Sequence, residues 1–294
     1  MVNRREFMQM SAVAVLGAVG APYLRAVRRC GSTLGFGETA ASPFGVQLYT
    51  VRDEVAKDLP GMLKAIRGMG YSEVESYWDI YEHPAAELRK MIQDNGLAIY
   101  SGHFNYEGLD SRLDYAAGLG LHYVICPMLP KDMWTSLDGF KKAADQFNVW
   151  GEKVRKLGMQ FGFHNHNYEF RRFGETTGFD MLMSRSDPAL MCLEMDCYWI
   201  TQAGRNPVQV MSDLGNRVKL LHLKDRKPGF PPSQQLDKDA EHFAPVGTGT
   251  IDWKAVLSVA KKLGIQRLYV EQDSGDQPPL KELQIALRNL KAIS

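Results

Sequence analysis

Residues 161–170 read FGFHNHNYEF, and this stretch decides the fold. Its apolar opening follows a Lys156-Leu157-Gly158 turn and predicts a strand over Met159–Asn165. The chain then delivers His164, His166 and Glu169 within six positions. Alternate residues of a strand share a face, so His164 and His166 are expected to point the same way. Two imidazoles and a carboxylate at one strand end have the composition of a metal site. The competing reading is a pair of satisfied interior histidines and a surface glutamate. Three later segments favour the metal: LMCLEMD ending at Asp196, VKLLHLKD with His222, and RLYVEQD with Glu271. Each is an apolar run that ends on an ionisable residue.

Outward from this stretch, short apolar runs alternate with amphipathic ones. Strands are expected at Phe44–Thr50, Glu73–Tyr77, Leu97–Phe104, Tyr123–Met128, Met159–Asn165, Leu190–Asp196, Val218–Lys224 and Arg267–Gln272. Helices are expected at Leu59–Met69, Pro84–Asn95, Asp110–Gly118, Leu137–Leu157, Gly178–Ser184, Pro207–Leu214, Trp253–Leu263 and about Leu280–Ile293, several of them closing on a glycine such as Gly70 or Gly264. Eight strands each followed by a helix predict an α/β fold, a single-domain (β/α)8 TIM barrel over residues 43–294. An open doubly wound sheet would need a glycine-rich first turn, and the turn here is Tyr49-Thr50-Val51-Arg52-Asp53. In a barrel the chemistry gathers at the C-terminal strand ends. Tyr49, Glu75, His103, Glu169, Asp196, His222, Lys224 and Glu271 all fall at or just past such ends. Neighbouring strands lie about 4.8 Å apart, so the rim residues of strands five to eight can converge on one ion.

The 294 residues suffice for a full core, and the net charge of +1 is scattered, which argues against nucleic acid or an acidic membrane as the main partner. Of the four cysteines, Cys126, Cys192 and Cys197 lie in or at the end of apolar runs, and with Cys30 they form no disulfide framework or cysteine zinc motif. The N-terminus differs from the rest. Arg4-Arg5, then Phe7, precede the short apolar run Met10–Ala21, a pattern of a twin-arginine export signal. Residues 1–30 are therefore expected to be signal peptide and linker, and the mature protein periplasmic, with no stable membrane anchor.

Three carboxylates and one imidazole make a hard, mostly oxygen donor set. It suits Mn²⁺ first, with Mg²⁺ or Co²⁺ as alternatives. Such an ion polarises a sugar carbonyl and stabilises the enediolate left when the α-proton departs. A carboxylate, histidine or lysine nearby carries the proton. Lys224 is placed to neutralise the oxyanion, or else to form a rim salt bridge, for instance with Asp225. Tyr49, Trp78, Phe104, Tyr168 and Trp199 are candidates to stack on a sugar ring or, more plainly, to pack the core. Gly247-Thr248-Gly249-Thr250 reads as an anion cup at a helix start or as a turn capped by Thr250.

The stretches GVQLYTVRDEVAKD, HNHNYEF, LEMDCYWITQAG, LLHLKD, PVGTGTIDWKAV and YVEQD together resemble the xylose-isomerase-like barrel superfamily. The resemblance spans residues 43–293. Its nearest branch is labelled sugar phosphate isomerase/epimerase and includes inosose dehydratases, ketose epimerases and enzymes acting on 3-keto-glycosides. The resemblance implies a divalent ion held by Glu169, Asp196, His222 and Glu271. It also implies a small carbohydrate as partner, with association of identical chains left open. One position departs from the pattern: many relatives carry the first ligand glutamate within strand five, where this chain has His164. Either Glu169 reaches back to the ion, which is the preferred reading, or His164 or His166 is the ligand. His103 and His166, with Lys224, become the candidates for proton transfer, while Tyr49, Glu75, His164 and Trp199 are assigned to the substrate. The expected function is a metal-dependent isomerase, epimerase or lyase acting on a sugar, cyclitol or keto-glycoside. The alternatives are a metal-dependent endonuclease of the same superfamily and an exported sugar-binding protein without catalysis.

Overall fold

The computed structural model describes residues 43–237 and 241–294. Arg4, Arg5, the apolar run after them and Cys30 lie outside the described residues. Eight parallel strands close into a barrel: β1 (Phe44–Gln47), β2 (Glu73–Ser76), β3 (Ala98–His103), β4 (Tyr123–Cys126), β5 (Gln160–His164), β6 (Met191–Asp196), β7 (Val218–Leu223) and β8 (Arg267–Val270). Each pairs with its sequence neighbours, and β8 pairs with β1 in the register Phe44 to Leu268. Around the barrel run α1 (Arg52–Met69), α2 (Ala85–Asp94), α3 (Leu113–Leu119), α4 (Leu137–Lys156), α5 (Gly178–Arg185), α6 (Cys197–Gln202), α7 (Pro207–Leu214), α8 (Trp253–Leu263) and α9 (Pro279–Ile293). No helix among the described residues is long and apolar enough to cross a membrane.

The barrel and its eight-strand order match the sequence expectation, with instructive differences at element ends. Most strands stop one to three residues earlier than their apolar runs, because the rim residues leave the sheet to turn. After β1 the chain enters a 3-10 turn at Leu48–Val51, where the Gln47 side chain accepts a hydrogen bond from the Tyr49 N–H at 3.1 Å. Helix α1 begins seven residues before its expected start at Leu59. It is kinked at Asp58, whose carboxylate accepts from the Gly61 N–H beside Pro60, so Leu59 opens its second segment. Helix α6 is an addition: its aromatic and β-branched sequence CYWITQ has a strand-like composition, yet Asp196 caps it by accepting from the Trp199 N–H at 2.8 Å. Thr250 is not the cap of α8. Asp252 is, accepting from the Ala255 N–H at 3.0 Å.

The glycine-rich turn before α8 is an anion cup whose anion is internal. The Asp225 carboxylate accepts from the N–H groups of Gly247, Gly249 and Ile251 at 2.9–3.1 Å and from the Trp253 indole at 2.8 Å. Asp225 is thereby committed to this turn and is not the salt-bridge partner of Lys224.

Inside the barrel, Ile125, Cys192, Leu220 and Tyr269 form a buried plug, with Tyr123 packed against it. Two glycines make room for it. A Cβ on Gly45 would stand 2.6 Å from the Tyr269 ring, and one on Gly162 would stand 2.6 Å from the Ile125 side chain. Strand alternation then carries the interior from apolar to charged in steps of two residues: Cys192, Glu194, Asp196 on β6; Leu220, His222 and then Lys224 along β7 and its end; Tyr269 and then Glu271 along β8. The plug closes the lower end, and the ionisable groups collect above it at the C-terminal rim.

Candidate metal centre

His164 ends β5, Asp196 ends β6, His222 lies on β7, and Glu271 follows β8. Each of the four offers one ligand atom within 4.8 Å of the others, and all four are buried. An ion that holds each donor at about 2.0–2.2 Å spaces opposite donors by about 4.4 Å, so the set closes on one ion with small movements. The state of Asp196 supports the fit. Its Oδ1 caps α6, while its buried Oδ2 has no hydrogen-bond partner and faces the Lys224 ammonium at 3.3 Å and His164 Nε2 at 3.9 Å. Orientation of Asp196 is fixed further by Asn165, whose side-chain oxygen accepts from the Asp196 N–H at 3.1 Å.

Beneath these ligands a second layer fixes the imidazoles. His222 Nδ1 lies 2.8 Å from Glu271 Oε2, on the ligand side, and its Nε2 lies 2.6 Å from Glu75 Oε2 and 3.2 Å from Glu194 Oε2. His164 likewise turns Nε2 toward Asp196 and Nδ1 toward Glu194 Oε2, at 3.2 Å. His103 Nε2 sits 2.6 Å from Glu194 Oε2, and its ring stacks on that of His222 at 5.3 Å. His103, His164, Glu194 and His222 thus form a lower cluster that shares two histidines with the upper one. Its shortest contacts are imidazole–carboxylate hydrogen bonds. They leave the opposite ring nitrogens of His164 and His222 for the upper set.

Burial pushes both lower carboxyls upward. At Glu75 the imidazoles of His103 and His222 outweigh it and bring the group down to about 2, so it stays ionised. Glu194, beside that charge, goes up to about 7. Burial depresses His222 and Lys224, but the carboxylates around each overcome it and hold both protonated: Glu194, Glu271 and Glu75 for His222, and Asp196, Asp273 and Glu271 for Lys224. The Lys224 Nζ sits 2.7 Å from Glu271, 2.9 Å from Asp273 and 3.3 Å from Asp196. Burial, aided by the Lys224 charge, lowers His166 to about 3 and leaves its imidazole neutral, with a buried Nδ1 that has no partner. Burial raises Asp196 to about 6.

Glu169 belongs to neither cluster. Both its carboxylate oxygens accept from the His166 N–H, at 3.0 and 3.1 Å, and burial raises it to about 8. Two other residues expected at the rim also sit deeper than a substrate contact. Glu75 is fully buried and holds His222 and Gln47, and Phe104 is a core residue stacked on Tyr81. Tyr168 is buried too, its hydroxyl accepting from the Leu129 N–H at 3.0 Å. By contrast, Tyr49, His103, His164, His166, Trp199 and Lys224 line a 560 Å³ cavity above the ligands. Glu194 went unassigned although it lies in LMCLEMD, two residues before Asp196; alternation along β6 was the signal that places it on the same face.

The loop after β7 forms one wall of that cavity. Its base is a two-stranded pairing of Asp225–Arg226 with Phe243–Ala244, and Arg226 ties it to Gln202, Phe230 and Pro231. Asn167, the last asparagine of HNHN, donates to the carbonyls of Ser233 and Gln235 at 2.9 and 2.8 Å. One short stretch therefore supplies a ligand candidate, a cavity imidazole and the tether of the wall opposite.

Comparison with known proteins agrees with this fold. A family model described as xylose isomerase-like TIM barrel matches residues 63–293. Inosose dehydratase from Clostridium beijerinckii is 27% identical over 127 residues, 41% of this chain and 42% of that protein. Inosose dehydratase from Bacillus anthracis is 21% identical over 262 residues, 78% of this chain and 86% of that one. The chain spans about half the length of the first curated relatives it matches. A crystal structure of a sugar phosphate isomerase/epimerase from Parabacteroides distasonis superposes with a TM-score of 0.74 at 24% identity, covering 87% of this chain and 96% of the other, and shares the fold. With the family model matched over most of its length, this chain belongs to the xylose isomerase-like TIM barrel family.

Proposed function

We propose that this protein is a divalent-metal-dependent enzyme that removes a proton α to the carbonyl of a keto-sugar, cyclitol ketone or keto-glycoside. The observation that carries the reading is the convergence of His164, Asp196, His222 and Glu271 beneath a cavity that His164 and Glu271 line, together with one charged lysine and one neutral imidazole whose Nδ1 has no hydrogen-bond partner. The names of the relatives, inosose dehydratase and sugar phosphate isomerase/epimerase, support the substrate class.

In this reading His164 takes the ligand place first assigned to Glu169. A bound divalent ion would supply a Lewis acid for the substrate carbonyl. Two nitrogen and two oxygen donors shift the preference from Mn²⁺ toward Zn²⁺ or Co²⁺, while still admitting Mn²⁺. The Lys224 ammonium, held by three carboxylates, stays charged and faces the oxygen on which negative charge develops. His166 Nδ1 accepts the α-proton as the C–H pair becomes the carbon–carbon π bond and the carbonyl π pair moves onto oxygen; a proton delivered to the opposite face of the α-carbon gives the epimer, and one delivered to the former carbonyl carbon, with loss of the neighbouring hydroxyl proton, gives the isomer. Loss of a β-hydroxyl instead gives the lyase outcome. His103 is bonded to Glu194 and serves the lower layer more than proton transfer. The lower cluster is read as support for the ligand histidines and not as a second ion, which separates this reading from a multinuclear nuclease.

The test is deuterium exchange. Metal-loaded protein in D₂O should label the α-carbon of inososes, ketohexoses or 3-keto-glycosides, and chelated protein should not. Absence of exchange across that panel, with the metal verified in place, would remove the proposed chemistry and leave a sugar-binding role.

A further inference from the structure

The cavity has two unlike halves. The ligands, Lys224 and Asp273 come from β5 to β8 and their ends. The opposite side, from the ends of β2, β3 and β4, is mainly apolar: Trp78, Tyr106, Pro127, Met128, Leu129 and Pro130, with Asn105 and Glu107 beside Tyr106. At 560 Å³ the cavity falls within the range of about 300–1,000 Å³ typical of drug-sized ligands, which is generous for one sugar ring.

The segment Pro127-Met128-Leu129-Pro130 is a built shelf. Two of its four residues are prolines with fixed φ. The Leu129 N–H donates to the Tyr168 hydroxyl at 3.0 Å, and the Cys126 thiol donates to the Met128 carbonyl at 3.5 Å. On this pinned backbone Met128 remains 39% exposed, one of the few large apolar side chains among the described residues to do so. The shelf has no polar side chain. Its two prolines lack N–H groups and the Leu129 N–H is engaged, which leaves the Met128 N–H as its single main-chain donor, so it is poor in donors for hydroxyls. A second sugar ring is therefore badly matched there. A flat apolar group is well matched, since the Met128 thioether and the Tyr106 and Trp78 rings favour an aromatic surface.

We infer that the substrate is a glycoside whose aglycone is apolar, and aromatic by preference, seated on the Pro127–Pro130 shelf while the oxidised sugar ring occupies the ligand side. This rests on the keto-sugar reading of the ligand side and adds the occupant of the other half. Burying an aromatic ring on the shelf should favour it over a methyl group by about ten- to a hundred-fold in affinity.

The experiment measures binding by calorimetry on the metal-loaded protein, with matched phenyl and methyl glycosides of α- and β-glucose and galactose, and with the disaccharides lactose and cellobiose. At least one phenyl glycoside should exceed its methyl counterpart by about ten-fold or more, and exceed both disaccharides. Met128→Ser should collapse the phenyl-to-methyl ratio towards one, and Met128→Leu should keep it; Met128 is exposed, so unaltered thermal unfolding is expected for both. Phenyl and methyl glycosides binding alike in every pair, tighter binding of a disaccharide, or a ratio that survives Met128→Ser would each overturn the inference. The reaction is scored separately. Phenyl preference without deuterium exchange of any keto-glycoside sinks the proposed chemistry alone, and exchange without phenyl preference sinks the shelf alone.

Discussion

Replacing Glu169 by glutamine separates the two places a carboxylate can have in this site. Glu169 is fully buried, and burial lifts it from an ordinary value near 4.5 to about 8, so at pH 7 it is a neutral acid. Glutamine is then close to an isostere: no charge is lost, and its carbonyl keeps a hydrogen bond from the His166 N–H. Metal affinity of Glu169→Gln at pH 7 should stay within about three-fold of the parent, whereas His164→Gln, which removes a donor, should exceed the roughly 10–100-fold loss seen when only a supporting partner is removed. Stability gives an independent check. The native state holds a proton that the unfolded chain has released between pH 4.5 and about 8, so wild-type stability falls as pH rises through that window and levels off above it. The gap corresponds to about 5 kcal/mol at 1.36 kcal/mol per unit, an order-of-magnitude figure for a fully buried group. The glutamine variant lacks this fall and should gain on the parent from pH 5 to about pH 8, with no further gain above it, in urea denaturation. Calorimetric titration of Mn²⁺ and Zn²⁺ into both variants completes the comparison. The argument fails if Glu169→Gln loses more affinity than His164→Gln, or if its stability tracks the parent's across the pH range.

Glu75→Gln removes the anion that holds His222 Nε2 at 2.6 Å, and should weaken metal binding by about 10–100-fold without touching the ion; unaltered affinity in a titration would show that Glu75 does not position the ligand. Chelated protein should lose activity and regain it with Zn²⁺, Co²⁺ or Mn²⁺, and a sample proven metal-free by elemental assay yet fully active would refute the metal's part. Export through the twin-arginine route is proposed from Arg4 and Arg5; changing both to lysine should leave the protein in the cytoplasm, and normal recovery from the periplasm would discard that reading.

The barrel was legible because each strand is an apolar run followed by an amphipathic helix, a pattern that local sequence carries. That Asp196, His222 and Glu271 gather at one end of the barrel was legible because each lies at or near the end of such a run. What resisted reading was two-sided. Whether Glu169 or His164 joins the cluster depends on where β5 ends, and the strand stops at His164, so the turn after it aims Glu169 back at the His166 amide. The lower layer resisted because Glu75 looks like a rim carboxylate and Glu194 like part of an apolar run until the register sets them beside His222 and His103 across the barrel, contacts 147 and 91 residues apart in sequence. The turn at 247–250 misled for the same reason: its anion is Asp225, more than twenty residues away.

The plug of Ile125, Cys192, Leu220 and Tyr269 packs the barrel interior below the site. An ion that comes in through the cavity above passes through the space a substrate would later fill. By that route an ion held by His164, Asp196, His222 and Glu271 must arrive first, and a substrate seated over it acts as a stopper. On the proposed function, occupancy of the floor would be a matter of history as well as affinity: ions would exchange between turnovers, in the intervals when the well stands open, and a saturating ligand would lengthen their stay without making one new bond to them.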